Sequence, residues 1–353
     1  MYRLSFVLNK KKMTEFEKIT SFENLYRAFK AAKSGKGYRK SSASFDVEAL
    51  SKIHNLKTLL ETKKYEVSEY NSFYVYEPKK RLIDAGTFVD KIVQHSLCDN
   101  VLLPKLSDVF IRNNFAGQIG KGTTFGLQTL REHMKDFYRE NGMNGYILKA
   151  DVTKFFYSID HEILKRKLCE YFDDSDVLWL CNKIIDSTKN PGLPLGNQSS
   201  QVFGLLYLND IDYLITKEFG IERYGRYMDD FYLIHNNKAE LKEMQKAIEC
   251  EVSKLQLSLN GKTQIMPFKQ GIRFLGFHTY VFNGNVISRV VNENKRNALR
   301  KYRRMSKLVQ EGKLSNSKLT NSLQSYKNHI SFGDCEGLID KLNMEFILKE
   351  ETK

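Results

Sequence analysis

The stretch that decides the reading is "ERYGRYMDDFYLIHNN", Glu222 to Asn237. Aromatic and branched residues on either side of its centre have the composition of two short strands. Between them stand two adjacent carboxylates, Asp229 and Asp230. Asp is favoured in turns for local reasons, so an aspartate pair between strands is ordinarily a surface turn. Here the pair is predicted at the tip of a hairpin anchored by Tyr227, Phe231, Tyr232 and Leu233, and its mutual repulsion needs an offset.

A second segment supplies a third carboxylate. "NGYILKADVTKFFYSIDHEILKRKLCEYF" starts as a strand, Tyr146 to Asp151, and becomes a helix after Asp160. If that strand lies beside the hairpin, Asp151, Asp229 and Asp230 converge at one sheet edge. Two-metal phosphoryl transfer needs anionic oxygens holding ions about 3.5 to 4 Å apart. Hard oxygen ligands favour Mg²⁺, completed by waters and substrate phosphates. Two Mg²⁺ ions, with Mn²⁺ as a substitute, therefore account for the adjacent aspartates.

The composition agrees with a polyanionic partner. The chain has 353 residues, 41% of them hydrophobic and 12% aromatic, with a net charge of +14. Such a chain has enough material for a sizeable core and two or three subdomains, and its charge points to nucleic acid. Cys98, Cys169, Cys181, Cys250 and Cys335 are scattered, without zinc spacing, as in a reduced cytoplasmic protein. "MYRLSFVLNKKK" is too short an apolar run for a signal peptide, and no stretch approaches the roughly 20 apolar residues of a membrane span.

The remaining elements follow from local patterns. Residues 14–62 read as basic helices broken by a loop at Lys33–Ser44. "YEVSEYNSFYVYEPKKRLIDAGTF" alternates as paired strands with a turn opened by Pro78, and "DKIVQHSLCDNVLLPKL" is a helix ended by Pro104. "NPGLPLGNQSSQVFGLLYLNDIDYLI" is a loop feeding a buried helix. After the hairpin come a helix to about Leu255, a strand at "TQIMPF", and a hairpin turning at Asn283 and Gly284. From Val290 a basic helix and a second helical segment reach the end. The central order fits a ferredoxin-like antiparallel sheet.

Taken in order from about Phe73 to about Leu342, these motifs resemble the reverse transcriptases. "YMDD" at Tyr227–Asp230 and "ADVTKFFYSID" match the family's catalytic segments, "GLPLGNQSSQ" its nucleotide-pocket loop, and "LNGKTQI" and "RFLGF" the two following blocks. The resemblance implies an α+β right-hand polymerase with fingers, a ferredoxin-like palm and a helical thumb. Its expected divisions are a basic helical region at 1–72, fingers at 73–145, an interleaved palm at 146–288, and a basic thumb at 289–353.

The same resemblance implies residue roles. Asp151 and Asp229 hold the metals with the carbonyl of Val152, and Asp230 contributes more weakly or through its field. Phe156 is the steric gate against a ribose 2′-OH. Arg81 and Lys79 meet the triphosphate, where an Arg fork can hold phosphate oxygens bidentately. Leu195, Gly196, Gln201, Tyr227 and Met228 line the nucleotide site, and Lys262 aids proton delivery to pyrophosphate. Lys121 approaches the template backbone, and Lys295, Arg296, Arg300, Lys301, Arg303 and Arg304 track a duplex.

Many family members carry Gln before the second glycine of the pocket loop and Pro after its serine, where this chain has Leu195 and Gln201. That pattern resembles bacterial enzymes of diversity-generating retroelements, which copy with errors, and antiphage-defence reverse transcriptases are the close alternative. An inactive RNA-binding protein of the same fold is the further alternative, disfavoured by the three aspartates. The implied partners are an RNA template, especially a structured non-coding RNA, the cDNA product and dNTPs, with an accessory protein or a homo-oligomer open and no membrane. No RNase H, endonuclease or maturase domain is expected in the remaining residues.

Overall fold

The computed structural model describes residues 13–35, 40–76 and 80–346. In chain order, α1 (Glu15–Thr20), α2 (Phe22–Lys33), α3 (Lys40–Val47) and α4 (Ala49–Glu61) precede a two-stranded antiparallel ribbon, β1 (Asn71–Val75) and β2 (Arg81–Ala85). Then come α5 (Phe88–Leu97), a π-helical turn at Cys98–Leu102, α6 (Leu103–Leu106), α7 (Thr123–Asn141) and β3 (Tyr146–Asp151). Next are α8 (Phe155–Ser158), α9 (His161–Cys169), α10 (Ser175–Ile185), α11 (Gln198–Tyr207) and α12 (Asn209–Tyr213). The hairpin β4 (Tyr224–Tyr227) and β5 (Asp230–His235) leads through α13 (Lys238–Lys254) to β6 (Gln264–Pro267). The chain continues with β7 (Ile272–Phe274), β8 (Phe277–Phe282), β9 (Asn285–Val290), α14 (Asn292–Gln310), α15 (Asn316–Ile330) and α16 (Glu336–Phe346).

These residues form two compact units. One contains the described residues up to Ile111 together with Thr153–Asp210 and Val252–Leu257. Its helix starts are encoded locally. Thr14 with Glu17, and Thr87 with Asp90, form capping boxes, and Asp160 accepts from the Ile163 amide at 2.9 Å. Each cap satisfies amides that have no partner within the helix.

The other unit contains Arg112–Val152, Ile211–Glu251 and the described residues from Ser258 onward. Its four-stranded sheet has the order β4-β5-β3-β6, antiparallel throughout, which is the strand order of the ferredoxin-like topology. Ile147, Tyr232 and Ile234 pack with Phe115, with Leu130, Met134 and Phe137 of α7, and with Phe268 and Phe274. Burying side chains of this size stabilises by about 1.5–3 kcal/mol each. A second cluster joins Phe277 to Tyr302, Leu319, Leu323, Leu342 and Phe346 of the last three helices.

Several local expectations are corrected. Asp230 does not sit at the turn tip; it begins β5 and pairs with Tyr227, so Met228 and Asp229 alone make the turn. Pro104 does not end its helix. It lies at the start of α6, directly after the π-helical turn, inside a helical run that continues to Leu106. Lys40–Ser44 of the expected loop belong to α3; residues 36–39, Pro78 with its turn, and Lys79 lie outside the described residues. The single late hairpin is a three-stranded meander, β7-β8-β9, and two helices follow α14. Its second turn is Asn283-Gly284 with φ of +47° and +77°, the backbone that Asn-Gly favours.

Candidate active site

The end of β3 and the hairpin turn bring three carboxylates to one end of the sheet. Asp151 stands opposite Asp230 in the β3–β5 register, and the Val152 amide donates to the Asp229 carbonyl at 3.1 Å. Asn260 closes the other side of β3. Its amide donates to the Asp151 carbonyl at 2.7 Å, and its Nδ2 lies 3.4 Å from Asp151 Oδ2. Asn260 Oδ1 in turn accepts from the Lys262 amide at 3.0 Å, tying the loop that carries the exposed Lys262 to the same strand end.

Lys149, absent from the expected set, is the cation of this cluster. Its Nζ lies 3.0 Å from Asp230 Oδ1 and 3.1 Å from Oδ2. Residues two apart on a strand share a face, so Lys149 accompanies Asp151, and the signal for it was that spacing. Burial pushes the Asp230 carboxyl up to about 6; Lys149 opposes the shift, while Asp151 and Asp229 add to it. A cluster of carboxylates whose repulsion is only partly offset suits added positive charge.

Among the described residues, no three carboxylate, imidazole or thiol groups form a ready metal cage. That is compatible with Mg²⁺, which takes one or two carboxylates and completes its shell with water and substrate phosphates. The donor set fits such an ion. Tyr227 packs against the sheet core, and Met228 occupies the turn at φ +56°. Arg226, also unforeseen, is completely buried and paired with Asp212.

The remaining nucleotide-site candidates belong to the other unit, where hydrogen bonds gather them. The Leu193 amide donates to the Phe156 carbonyl at 2.7 Å, and the Asp84 amide to the Leu195 carbonyl at 3.1 Å. Tyr157, next to Phe156, donates its hydroxyl to the Leu82 carbonyl at 3.0 Å. The strand of Arg81, the short helix of Phe156 and the loop of Leu195 and Gly196 thus form one constellation. Gly196 has φ +130°, and a Cβ there would meet the Asp84 carbonyl at 3.2 Å, so the loop needs glycine. The half-buried Phe156 ring rests on Phe155 with centroids 5.1 Å apart. Leu195 is half-buried, while Arg81 and Gln201 are exposed. Lys80, beside Arg81, lies 4.4 Å from the Tyr74 ring centroid.

The basic candidates are less uniform than their charge suggested. Arg296, Arg300, Lys301 and Arg304 are exposed on α14, and Lys295 is half-buried. Arg303 is not uncommitted: its Nε donates to Glu345 of α16 at 2.5 Å. Arg296 lines a cleft of about 640 Å³ with Lys149, Asp230 and Arg273. Lys121 is half-buried, with Nζ 3.0 Å from Gln118 Oε1, and burial lowers its pKa. Cys98, Cys181 and Cys335 are buried, Cys169 and Cys250 are exposed, and all five are free. Among the described residues, no helix is long and apolar enough to cross a membrane.

Residues 78–279, more than half of the chain, match the sequence profile of the family described as reverse transcriptase (RNA-dependent DNA polymerase). No curated protein sequence matches the chain. Among solved structures, apo telomerase from Candida tropicalis truncated from its C-terminal domain is similar in fold, with a TM-score of 0.50 and 16% identity over 68% of this chain and 60% of that one. Telomerase from Candida albicans in complex with a TWJ fragment of telomeric RNA aligns at 12% identity and a TM-score of 0.49, over 66% and 48% of the two chains. Apo telomerase from Candida tropicalis aligns at 13% and 0.48, over 67% and 53%. The chain therefore spans about 60% of the length of the first of these.

Proposed function

Because the chain belongs to the reverse transcriptase (RNA-dependent DNA polymerase) family, we propose that it extends a 3′-hydroxyl with dNTPs on an RNA template to make cDNA. It has the α+β right-hand polymerase fold. The observation that carries the catalytic reading is the register of β3 against the hairpin, which sets Asp151 opposite Asp230 with Asp229 in the adjoining turn.

In this reading Asp151 and Asp229 hold two divalent ions, Mg²⁺ or Mn²⁺, with the Val152 carbonyl. Bound there, the ions would activate the attacking hydroxyl and stabilise the leaving group. Asp230 contributes more weakly or through its field, and Lys149 limits the repulsion among the carboxylates. Phe156 excludes the 2′-OH, Arg81 grips the triphosphate, and Lys262 delivers a proton to pyrophosphate. The resemblance assigns Gly196 and Gln201 of one unit, and Tyr227 and Met228 of the other, to nucleotide binding, and the exposed cations of α14 follow the duplex backbone. Lys79 is assigned to the triphosphate by sequence alone. Residues 73–145, 146–288 and 289–353 serve as fingers, palm and thumb after the basic N-terminal region 1–72.

The pattern at Leu195 and Gln201 supports a diversity-generating retroelement enzyme first and an antiphage-defence enzyme second, each in the cytoplasm on a structured non-coding RNA. The neighbouring genes discriminate them: a template repeat with a variable gene, or an isolated defence cassette. An accessory protein or a homo-oligomer is compatible with either. The test of the core reading is Asp151→Asn and Asp229→Asn in purified protein. Both should abolish DNA synthesis while RNA binding, which rests on the basic surfaces, persists. Near-wild-type polymerisation by either variant refutes the site.

A further inference from the structure

The turn that carries Asp229 is an improbable one for its sequence. Its two central residues are Met228 and Asp229, closed by the Tyr227–Asp230 pair, and Met228 has φ +56°. A residue such as methionine rarely adopts that conformation, and it persists where the surroundings over-determine it. What imposes it here comes from below the turn. Arg226 Nη1 donates to the Met228 carbonyl at 2.9 Å, gripping the peptide that leads directly into Asp229.

The grip is itself immobilised. Arg226 Nε and Nη2 fork onto Asp212 Oδ1 and Oδ2 at 2.7 and 2.5 Å, with both side chains 0% exposed. The Tyr224 hydroxyl donates to the same Asp212 Oδ1 at 2.6 Å. The main chain is tied as well. Arg226 N donates to the Asn113 carbonyl at 3.0 Å, and Phe115 N donates to the Arg226 carbonyl at 2.8 Å. A guanidinium is planar, permanently charged and many-handed, so one residue can answer a carboxylate and still spare a donor for the turn.

We infer that Arg226 is a positioning residue of the polymerase site: held by Asp212 and Tyr224, it fixes the Met228–Asp229 peptide and thereby the placement of the Asp229 carboxylate. A buried Nη1 needs an acceptor, and the acceptor it meets here is the carbonyl that leads into Asp229. The inference rests on the polymerase reading for its consequence, because misplacing a reacting group by about 1 Å can cost on the order of a hundredfold in rate.

Two variants test it. Arg226→Met with Asp212→Leu and Tyr224→Phe removes the network while leaving an apolar interior, an exchange that folds often tolerate. Arg226→Lys keeps the charge opposite Asp212 but lacks the fork that reaches both partners, and it serves if the triple variant does not fold. Three quantities are read on each folded variant: RNA affinity, kcat and KM for dNTP, and amide exchange of the 224–232 peptide. The expected result is unchanged RNA affinity and KM, with kcat down about ten- to a hundredfold and hairpin exchange about tenfold faster. Wild-type kcat or wild-type exchange in a folded variant overturns the assignment and leaves Arg226 a packing residue. The polymerase reading fails separately, through an active Asp229→Asn protein, and the exchange measurement reads the hairpin in either case.

Discussion

Acid should weaken the unit that carries the carboxylates through one residue, His133. It lies on α7 with Nδ1 3.0 Å from the Tyr232 hydroxyl and ring centroids 6.0 Å apart. Burial, with the positive charge of Arg223 adding to it, lowers its pKa from 6.5 to about 4, while nearby Asp136 acts the other way. Burial also holds Tyr232 protonated, its pKa well above the usual value, so the phenol can donate to the unprotonated ring. The folded-state pKa lies below the unfolded one. Between about pH 6.5 and 4 the unfolded chain therefore binds more protons, and stability present above 6.5 is lost as pH falls. At about 1.4 kcal/mol per unit the total is about 3 kcal/mol, of which about 2 kcal/mol is gone by pH 5. Urea unfolding followed by circular dichroism at pH 7.5 and 5.0 measures it in the wild type and in His133→Gln, which has no proton to gain. Other groups titrate in both proteins, so the difference between the two losses isolates His133. Equal losses in the two proteins would refute the reasoning.

Three further outcomes are expected. Phe156→Val, in folded protein, raises rNTP against dNTP incorporation by opening space for the 2′-OH; a packing residue would instead cost stability and leave the ratio unchanged. Leu195→Gln shifts misincorporation opposite particular template bases, adenine first, by roughly ten- to a hundredfold, since pairing or orphaning a buried polar group is worth about 1–3 kcal/mol. Deep sequencing of cDNA from one defined RNA reads this, and matching low-error spectra remove the argument for the diversity-generating branch. Gly225→Ala places a Cβ 2.6 Å from Phe115 Cε2 and 2.8 Å from Tyr232 Cε1, an overpacking expected to cost about 1–3 kcal/mol; an unaltered urea midpoint would contradict the tight approach.

Much of the polymerase scaffold was legible because it is written in local rules. Strand period and branched residues marked Tyr146–Asp151 and the hairpin, Asp160 announced α9 through its cap, and Asn283-Gly284 declared a turn whose dihedrals only a few residues accept. Asp151, Asp229 and Asp230 came forward as a set on the condition that their strands lie side by side, and through the resemblance of their segments to the reverse transcriptases. Three features escaped because each depends, directly or through Arg226, on a partner outside its own strand or hairpin. Lys149 meets Asp230 only once β3 and β5 take their register. Arg226, in a basic sequence, reads as one more surface cation until Asp212 is found buried beside it. Met228 adopts a left-handed turn that its own chemistry disfavours, because Arg226 holds its carbonyl. Local sequence determines the conformations that neighbours in the chain can enforce. Which charges are buried, and which strained backbone persists, is decided by desolvation and hydrogen bonds between segments that only the folded chain brings together.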